Sequence, residues 1–393
     1  MKIKKIIPLF LTLCLTLCGY STIKVSADTI TKYHNNTDIV SLIVPDKISS
    51  FASLNFQTLI AGIKESPESY GIQKAMTEKL YLGNAFNIFE DRLNVLQNQS
   101  IYYYPILYND EIVAIFTVGL DEKGGIYSTI GKDFADRLQY IIDTYNDGGS
   151  FVLISSDSNI YAQNKLGSFI VSEDNKDKLR SFDKSSYNKY LDKIKKSFPK
   201  SSLINVKKEF KTTPKKSDDT YTSKSLALNS SKLNNLSLSS TWLPVPIVRN
   251  QYGLCWAASC ASVLNYRLCT NLTPTQIADD MHMDYNKGAN IYQISDTLKH
   301  YGDSNARGLD RILSDNEIET YINFNAPIIM GTHSDIGPHA TVIRGYMVGD
   351  GFIQISMMNP NLDTYQAAYA QNGSYYYVMD NNRFVWRETA VYF

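Results

Sequence analysis

Cys255 has the residue type and the sequence context of a reactive thiol. It follows a turn that contains Tyr252-Gly253 and precedes small and apolar residues that predict a helix from Trp256 to about Arg267. The free N–H groups and the positive dipole end of a helix N-terminus stabilise a thiolate. Such surroundings, with an imidazolium nearby, lower a thiol pKa from near 8.5 to ~3.5–7.5. A lone cysteine is more often a small buried apolar residue, so the other motifs of the chain must decide between these two interpretations.

Two later segments carry side chains that could act together with this thiol. His339 opens a predicted strand that ends in Gly345-Tyr346, and Asn359-Pro360 follows the next predicted strand. A thiol, an imidazole that takes its proton and a third group that orients the imidazole form a set suited to nucleophilic catalysis.

These segments resemble the three motifs of papain-like cysteine peptidases, in the family's order of Cys, His and Asn. In that family a glutamine precedes a Cys-Trp-Ala sequence, as Gln251 precedes Cys255 here. The Asn359-Pro360 pair resembles staphopain-type and related bacterial peptidases more than papain itself. The resemblance covers roughly residues 244–361 and implies an α+β fold, with a helical part that carries the nucleophile helix and an antiparallel β-sheet.

The resemblance also implies a role for each residue of the set. His339 would take the thiol proton and return it to the leaving amine, and Asn359 would orient the imidazole through its other nitrogen. Gln251 would donate to the developing oxyanion, while Trp256 would shield the Asn–His hydrogen bond. The family's glutamine lies about six residues before the cysteine, but Gln251 lies four before it, so Asn250 is the alternative donor.

The other histidines and cysteines are weaker candidates. His333 lies in a stretch that predicts a loop, and we expect an exposed side chain there rather than the base or a metal ligand. Cys260 lies inside the predicted helix and Cys269 beyond its end, so both are interpreted as structural. Four zinc ligands at recognisable spacing are not found, and we expect neither a metal nor another cofactor.

The start of the chain predicts export. Residues 1–5 are basic, residues 6–18 form an apolar run that is short for a membrane span, and Val25-Ser26-Ala27 fits a signal peptidase site. We therefore predict a bacterial signal peptide over residues 1–27, cleavage after Ala27 and a secreted protein without a membrane span. The alternative is a lipoprotein signal at Cys18, although Leu17 is larger than the usual preceding residue.

Composition divides the remaining chain into three segments. Residues 28–191 predict a small α+β domain, with helices at residues 89–93 and 134–142 and a hairpin of residues 101–108 and 111–118 around an Asn109-Asp110 turn. Residues 192–240 are rich in Lys and Ser, which predicts a solvated basic linker. A nucleic-acid-binding tract is the less favoured interpretation of this segment.

Residues 241–393 contain the three motifs and predict the papain-like domain. Helices are expected from Thr273-Pro274 and over residues 291–300, and strands over residues 327–330, 339–348, 351–357, 375–379 and 384–386. Helices that precede an antiparallel sheet give an α+β plan.

The whole pattern predicts a secreted cysteine endopeptidase made as a zymogen. Its substrate would be protein or peptide, and the N-terminal pro-domain would be its intramolecular inhibitor. The formal net charge is zero among 393 residues, so no global field favours a nucleic-acid partner. Three alternatives remain open: a permanently attached N-terminal binding module, an inactive papain-like fold used for recognition, and a papain-like acyltransferase or toxin-type enzyme.

Overall fold

The computed structural model describes residues 37–92, 95–156, 159–171, 179–180, 185–211, 239–349, 352–371 and 373–392. The predicted signal peptide and the central part of the predicted linker, residues 212–238, lie outside the described residues. All described residues belong to one unit, Asn36–Phe393. We call residues 37–211 the N-terminal part and residues 239–392 the C-terminal part.

The helices of the described residues alternate with strands in the N-terminal part and precede most strands in the C-terminal part. The helices are α1 (Asp46–Glu65), α2 (Asp133–Tyr145), α3 (Ser185–Ser197), α4 (Cys255–Leu268), α5 (Pro274–Asp280), α6 (Ile291–His300) and α7 (Asp315–Asn323). Short 3₁₀ turns cover Pro67–Tyr70 and Lys74–Lys79. None of the helices in the described part of the chain is both long and apolar enough to cross a membrane.

The strands fall into two sheets. They are β1 (Asp38–Ser41), β2 (Tyr81–Leu82), β3 (Phe89–Arg92), β4 (Val95–Asn98), β5 (Ile101–Tyr108), β6 (Glu111–Leu120), β7 (Ile126–Gly131), β8 (Ser150–Ser156), β9 (Asn159–Gln163), β10 (Ser168–Ile170), β11 (Leu179–Arg180), β12 (Ser202–Asn205), β13 (Ser239–Trp242), β14 (Arg307–Leu309), β15 (Ile328–Ser334), β16 (Gly337–Gly349), β17 (Phe352–Met358), β18 (Gln366–Gln371), β19 (Ser374–Met379) and β20 (Asn382–Val391).

One sheet belongs to the N-terminal part, and the other runs through both parts. The first has the strand order β11-β10-β9-β8-β1-β12, with β3 and β4 beside β8. The second has the order β13-β16-β15-β20-β19-β18-β7-β6-β5-β2, with β14 on β20 and β17 between β16 and β18. The junction of the two parts is the antiparallel pair β7–β18, in which Ala367 lies opposite Ile130.

Local sequence explains how the helices of the C-terminal part begin. Capping boxes formed by Thr273, Asn290 and Ser314 start α5, α6 and α7, and each satisfies N–H groups that would otherwise lack partners. Such a cap contributes about 1 kcal/mol. Helix α4 has no side-chain cap, and its buried alanines allow it to pack closely against β16.

Most predicted elements are confirmed, including the hairpin of β5 and β6. Its turn residues Asn109 and Asp110 both have positive φ, which matches the twist of a tight hairpin. The prediction of a helix over residues 89–93 is wrong, because Phe89–Arg92 forms strand β3 and pairs with β4 and β8. Phe89 is fully buried there, and five residues are too few to separate a helical period from a strand period.

The predicted linker begins too early. Residues 192–197 belong to α3, and β12 pairs with β1. Ile194 is fully buried whereas Lys195 and Lys196 are exposed, which is the pattern of an amphipathic helix. Lys195 and Lys196 therefore lie on the solvent face of a packed helix rather than in a linker.

The two parts are joined by buried polar contacts as well as by β7–β18. Tyr103 donates to Asn381 Oδ1 at 2.8 Å, and Thr129 Oγ1 donates to the Ala367 carbonyl at 2.8 Å. The buried Arg344 guanidinium donates to Ser69 Oγ at 3.2 Å. Buried polar groups at an interface are costly to separate unless each finds a new partner.

Candidate active site

Cys255 is the first residue of α4, as the turn before it predicted. The preceding turn is closed by the hydrogen bond from Leu254 N–H to the Gln251 carbonyl at 3.1 Å. Tyr252 has a positive φ within this turn and stacks on Tyr285 at 5.5 Å between ring centroids. The thiol therefore lies at a helix N-terminus whose entry is fixed by both backbone and ring contacts.

The surroundings of Cys255 have opposing effects on the pKa of its thiol. Burial raises the pKa of the thiol above its usual value, and this is the larger effect. The backbone N–H groups of Ala340, Trp256 and Cys255 itself oppose it by stabilising the thiolate. Ala340 directly follows His339, so the structure places the sulfur beside the residue predicted to be its base.

His339 and Asn359 are in direct contact. His339 lies in β16 and Asn359 just after β17, and the pair β16–β17 brings their side chains to 3.0 Å between Nε2 and Oδ1. Both side chains are buried. Burial lowers the pKa of His339 to about 4, while its hydrogen bond to Asn359 acts in the opposite direction. The described conformation thus favours a neutral imidazole.

The partners of Asn359 determine which imidazole nitrogen carries the proton. Gln366 donates from Nε2 to the Val378 carbonyl at 3.1 Å, which turns its Oε1 toward Asn359 Nδ2 at 3.4 Å. Asn359 therefore presents its oxygen to His339, and a neutral imidazole must donate from Nε2. Its Nδ1 is then the basic nitrogen.

Aromatic and thioether groups surround the His–Asn hydrogen bond. The Phe384 ring lies 5.8 Å from the His339 ring, and Met379 Sδ lies 3.5 Å from Asn359 Nδ2. Trp256, which was expected to shield this bond, is buried and donates its indole N–H to the Lys287 carbonyl at 3.2 Å. Gln366, Met379 and Phe384 were not identified from the sequence, because they reach the site only through strand pairing.

The loop that carries Asn359 is held from two sides. Asn250 donates to Asn361 Oδ1 at 2.9 Å, which ties the loop to the segment before Cys255. From the N-terminal part, the buried carboxylate of Asp133 accepts hydrogen bonds from the Asp363 N–H and the Thr364 hydroxyl. The position of Asn359 therefore depends on contacts from both parts of the chain.

The two candidate oxyanion donors have different surroundings. The Gln251 side chain is exposed next to the start of α4. Asn250 is only partly exposed, and its amide nitrogen is committed to Asn361. This geometry keeps Gln251 as the candidate donor and gives Asn250 a role in holding the Asn359 loop.

The weaker candidates of the sequence lie apart from this arrangement. His333 lies in strand β15 rather than in a loop, and its exposed ring is 3.3 Å from Glu388 Oε1. Cys260 is fully buried in α4, and Cys269 is exposed at its C-terminal end. No group of three or more His, Cys, Asp and Glu side chains in the described ranges is arranged to hold a metal ion.

A cysteine at a helix start, a histidine beside it on an antiparallel sheet and an asparagine that orients the histidine define a papain-like cysteine peptidase site. Residues 239–370 match the family described as Papain-like cysteine protease AvrRpt2, and this part of the chain is a papain-like cysteine peptidase. The match supports the general class rather than the staphopain-type resemblance suggested by Asn359-Pro360. No curated protein is significantly similar to the chain.

Proposed function

We propose that the chain is a secreted cysteine endopeptidase made as a zymogen, with Cys255 as nucleophile and His339 as general base. The observation that carries this proposal is the 3.0 Å contact of His339 with Asn359, together with the hydrogen bond of the Cys255 sulfur to the backbone of Ala340, the residue after His339. It supplies an oriented imidazole next to a thiol, which is what activation of a nucleophile requires.

The proposed reaction has two halves. The Cys255 thiol gives its proton to His339 Nδ1, and the sulfur attacks the carbonyl carbon of the scissile bond. Gln251 and the Cys255 backbone N–H stabilise the oxyanion. The intermediate collapses as His339 protonates the leaving amine, which leaves a thioester. Water then gives a proton to His339 and attacks the thioester, and the acid and the free thiol are released.

The state of the thiol and the imidazole in the intact chain agrees with latency. Burial raises the pKa of Cys255 and lowers that of His339, so both groups favour their neutral forms in the intact chain. A thiol is a much weaker nucleophile than a thiolate. The N-terminal part would be the inhibitory domain and would be removed during maturation.

One observation favours a second candidate function, a cysteine peptidase whose N-terminal part stays attached as a binding module. Strand β7 extends the sheet of the peptidase through β18, and Asp133 holds the loop of the proposed catalytic asparagine. Such contacts suit a permanent module as well as an inhibitor. The mass of the mature secreted protein separates the two, since a retained module predicts an N-terminus near Asp28.

The activity itself is tested on an unfolded protein substrate, with and without a thiol-directed epoxide, using residues 28–393 before and after limited proteolysis that removes the N-terminal part. Cys255→Ala should abolish turnover and epoxide labelling, whereas Cys260→Ala and Cys269→Ala are the matched controls and should retain both. Hydrolysis in ¹⁸O-labelled water should place one ¹⁸O in each new carboxyl group. Epoxide labelling that persists in Cys255→Ala would disprove the nucleophile, and products that carry an added amine in place of ¹⁸O would favour the acyltransferase.

A further inference from the structure

Thr332 connects the backbone of His339 to a buried tyrosine. The two residues lie opposite each other in the β15–β16 pair, and Thr332 Oγ1 donates to the His339 carbonyl at 2.9 Å. The same oxygen lies 2.9 Å from the hydroxyl of Tyr377. Thr332 has one hydroxyl proton, which it gives to His339, so Tyr377 is the donor to Thr332.

A second route runs from Tyr377 to the His339 ring. The Tyr377 ring is stacked on Phe384, with 5.1 Å between centroids and an interplanar angle of 4°. Phe384 in turn contacts the imidazole at 5.8 Å between centroids. The backbone and the ring of His339 are therefore both supported from one tyrosine, and Thr332, Tyr377 and Phe384 are all buried.

The strand geometry beside Thr332 is irregular. The register of β15 against β20 shifts between Gly331 and Thr332. Such a shift changes the direction of the side chains that follow it and is common next to active sites. Here it accompanies a threonine that contacts two groups of the site.

We propose that Tyr377 is a positioning residue for His339, which acts on the backbone through Thr332 and on the imidazole through Phe384. The proposal rests on the proposed function, because it assigns His339 as the base. Fixing both the main chain and the ring leaves the imidazole few alternative orientations. Proton transfer requires such alignment with the thiol.

The electrostatics of Tyr377 agree with this role. Burial raises its pKa above the ordinary value, and its hydrogen bond with Thr332 opposes this effect without cancelling it. The hydroxyl therefore keeps its proton over the working pH range and remains a donor.

The test removes single hydroxyl groups from residues 28–393 in a Cys269→Ser background, in which Cys260 is buried and Cys255 is the accessible thiol. The kcat values are measured after the same proteolytic removal of the N-terminal part. Tyr377→Phe and Thr332→Val should each lower kcat about fivefold, the effect of one lost hydrogen bond, with little change in KM. Because they interrupt one chain, the double variant should be no worse than either single variant. Thr332→Ser keeps the hydroxyl and should recover most of the activity.

The matched control is Tyr375→Phe, in the same strand. Tyr375 is also buried, and its hydroxyl donates to Asp315 at 2.8 Å, away from His339. The pH dependence of iodoacetamide alkylation at Cys255 should shift in Tyr377→Phe and Thr332→Val but not in Tyr375→Phe.

Unchanged kcat and alkylation profiles in Tyr377→Phe, or equal changes in Tyr375→Phe, would overturn the proposal. The alkylation profile needs no substrate, so it reports on the thiol and imidazole even if the wild-type chain hydrolyses no peptide bond. Failure of the positioning role and failure of the proposed peptidase activity are thereby distinguished.

Discussion

His339 Nε2 and Asn359 Oδ1 are 3.0 Å apart, and the orientation of Gln366 requires that the imidazole be the donor in this hydrogen bond. The proton on Nε2 leaves Nδ1 as the basic nitrogen of the neutral ring. The pair therefore sets both the direction and the tautomer of the proposed base, which makes each partner separately testable.

Removal of the imidazole should cost more than removal of the group that orients it. We expect His339→Ala to lower kcat by ~10²–10⁴, the contribution of general acid–base catalysis. Asn359→Ala should lower kcat by about 10- to 100-fold, because the imidazole remains but loses its buried partner. The measurement is steady-state kinetics on a fluorogenic peptide, with the wild type and the variants assayed after the same proteolytic removal of the N-terminal part.

The matched control for this pair is His333→Ala. His333 lies on β15, exposed and paired with Glu388, and its loss should leave kcat within about twofold of the wild type, in line with other surface substitutions. An inactive His333→Ala chain together with an active His339→Ala chain would show that the base has been assigned to the wrong histidine.

The local signals of the sequence predicted the elements that carry the site but not what surrounds it. The turn before Cys255 and the strand at His339 are encoded within a few residues, and both are found. Gln366 and Phe384 reach the site through strand pairing, which no local pattern reveals. For the same reason the β7–β18 junction was not predicted from the sequence. The lysines of α3 led to the prediction of a solvated linker, although Ile194 among them is buried.

Gln251 and Asn250 should differ in what their loss affects. Gln251→Ala should lower kcat by ~10²–10³, the usual effect of removing one oxyanion donor, without a change in thermal stability. Asn250→Ala removes the hydrogen bond to Asn361 and should lower the unfolding temperature. Kinetics and thermal unfolding on both variants check this. A loss below about fivefold in Gln251→Ala, with a larger one in Asn250→Ala, would reassign the donor.

The depressed pKa of His339 predicts that acid destabilises the folded chain. The folded-state pKa is about 4, against the unfolded model value of 6.5. Above pH 6.5 neither state binds the proton, so the full stability is present. As pH falls from 6.5 toward 4 the unfolded state takes up the proton first, and up to about 3 kcal/mol is lost.

Chemical denaturation at pH 7.5 and pH 4.5 measures this dependence. His339→Gln removes the titrating group, so its stability should fall less between the two pH values than that of the wild type. Other groups titrate in the same range, and the difference between the two proteins isolates His339. Equal losses in both would contradict the depressed pKa.

The last prediction concerns release of the N-terminal part. A cut between residues 212 and 238 breaks one covalent connection, but it leaves β7–β18 and the Asp133 contacts to the Asn359 loop. We therefore expect a nicked chain to elute as one species in size-exclusion chromatography and to stay latent. Activity should rise only when the N-terminal part is degraded or is separated by mild denaturant, because occlusion of the site would end with dissociation rather than with cleavage.

A sequence-specific protease site inserted at Lys215-Lys216 allows a single cut, and the same insertion with its cleavable residue changed is the matched control. Active sites are counted with the thiol-directed epoxide, so that activity is expressed per competent thiol. Equal activity per site in the uncut, nicked and separated forms would rule out latency and favour a permanently attached module.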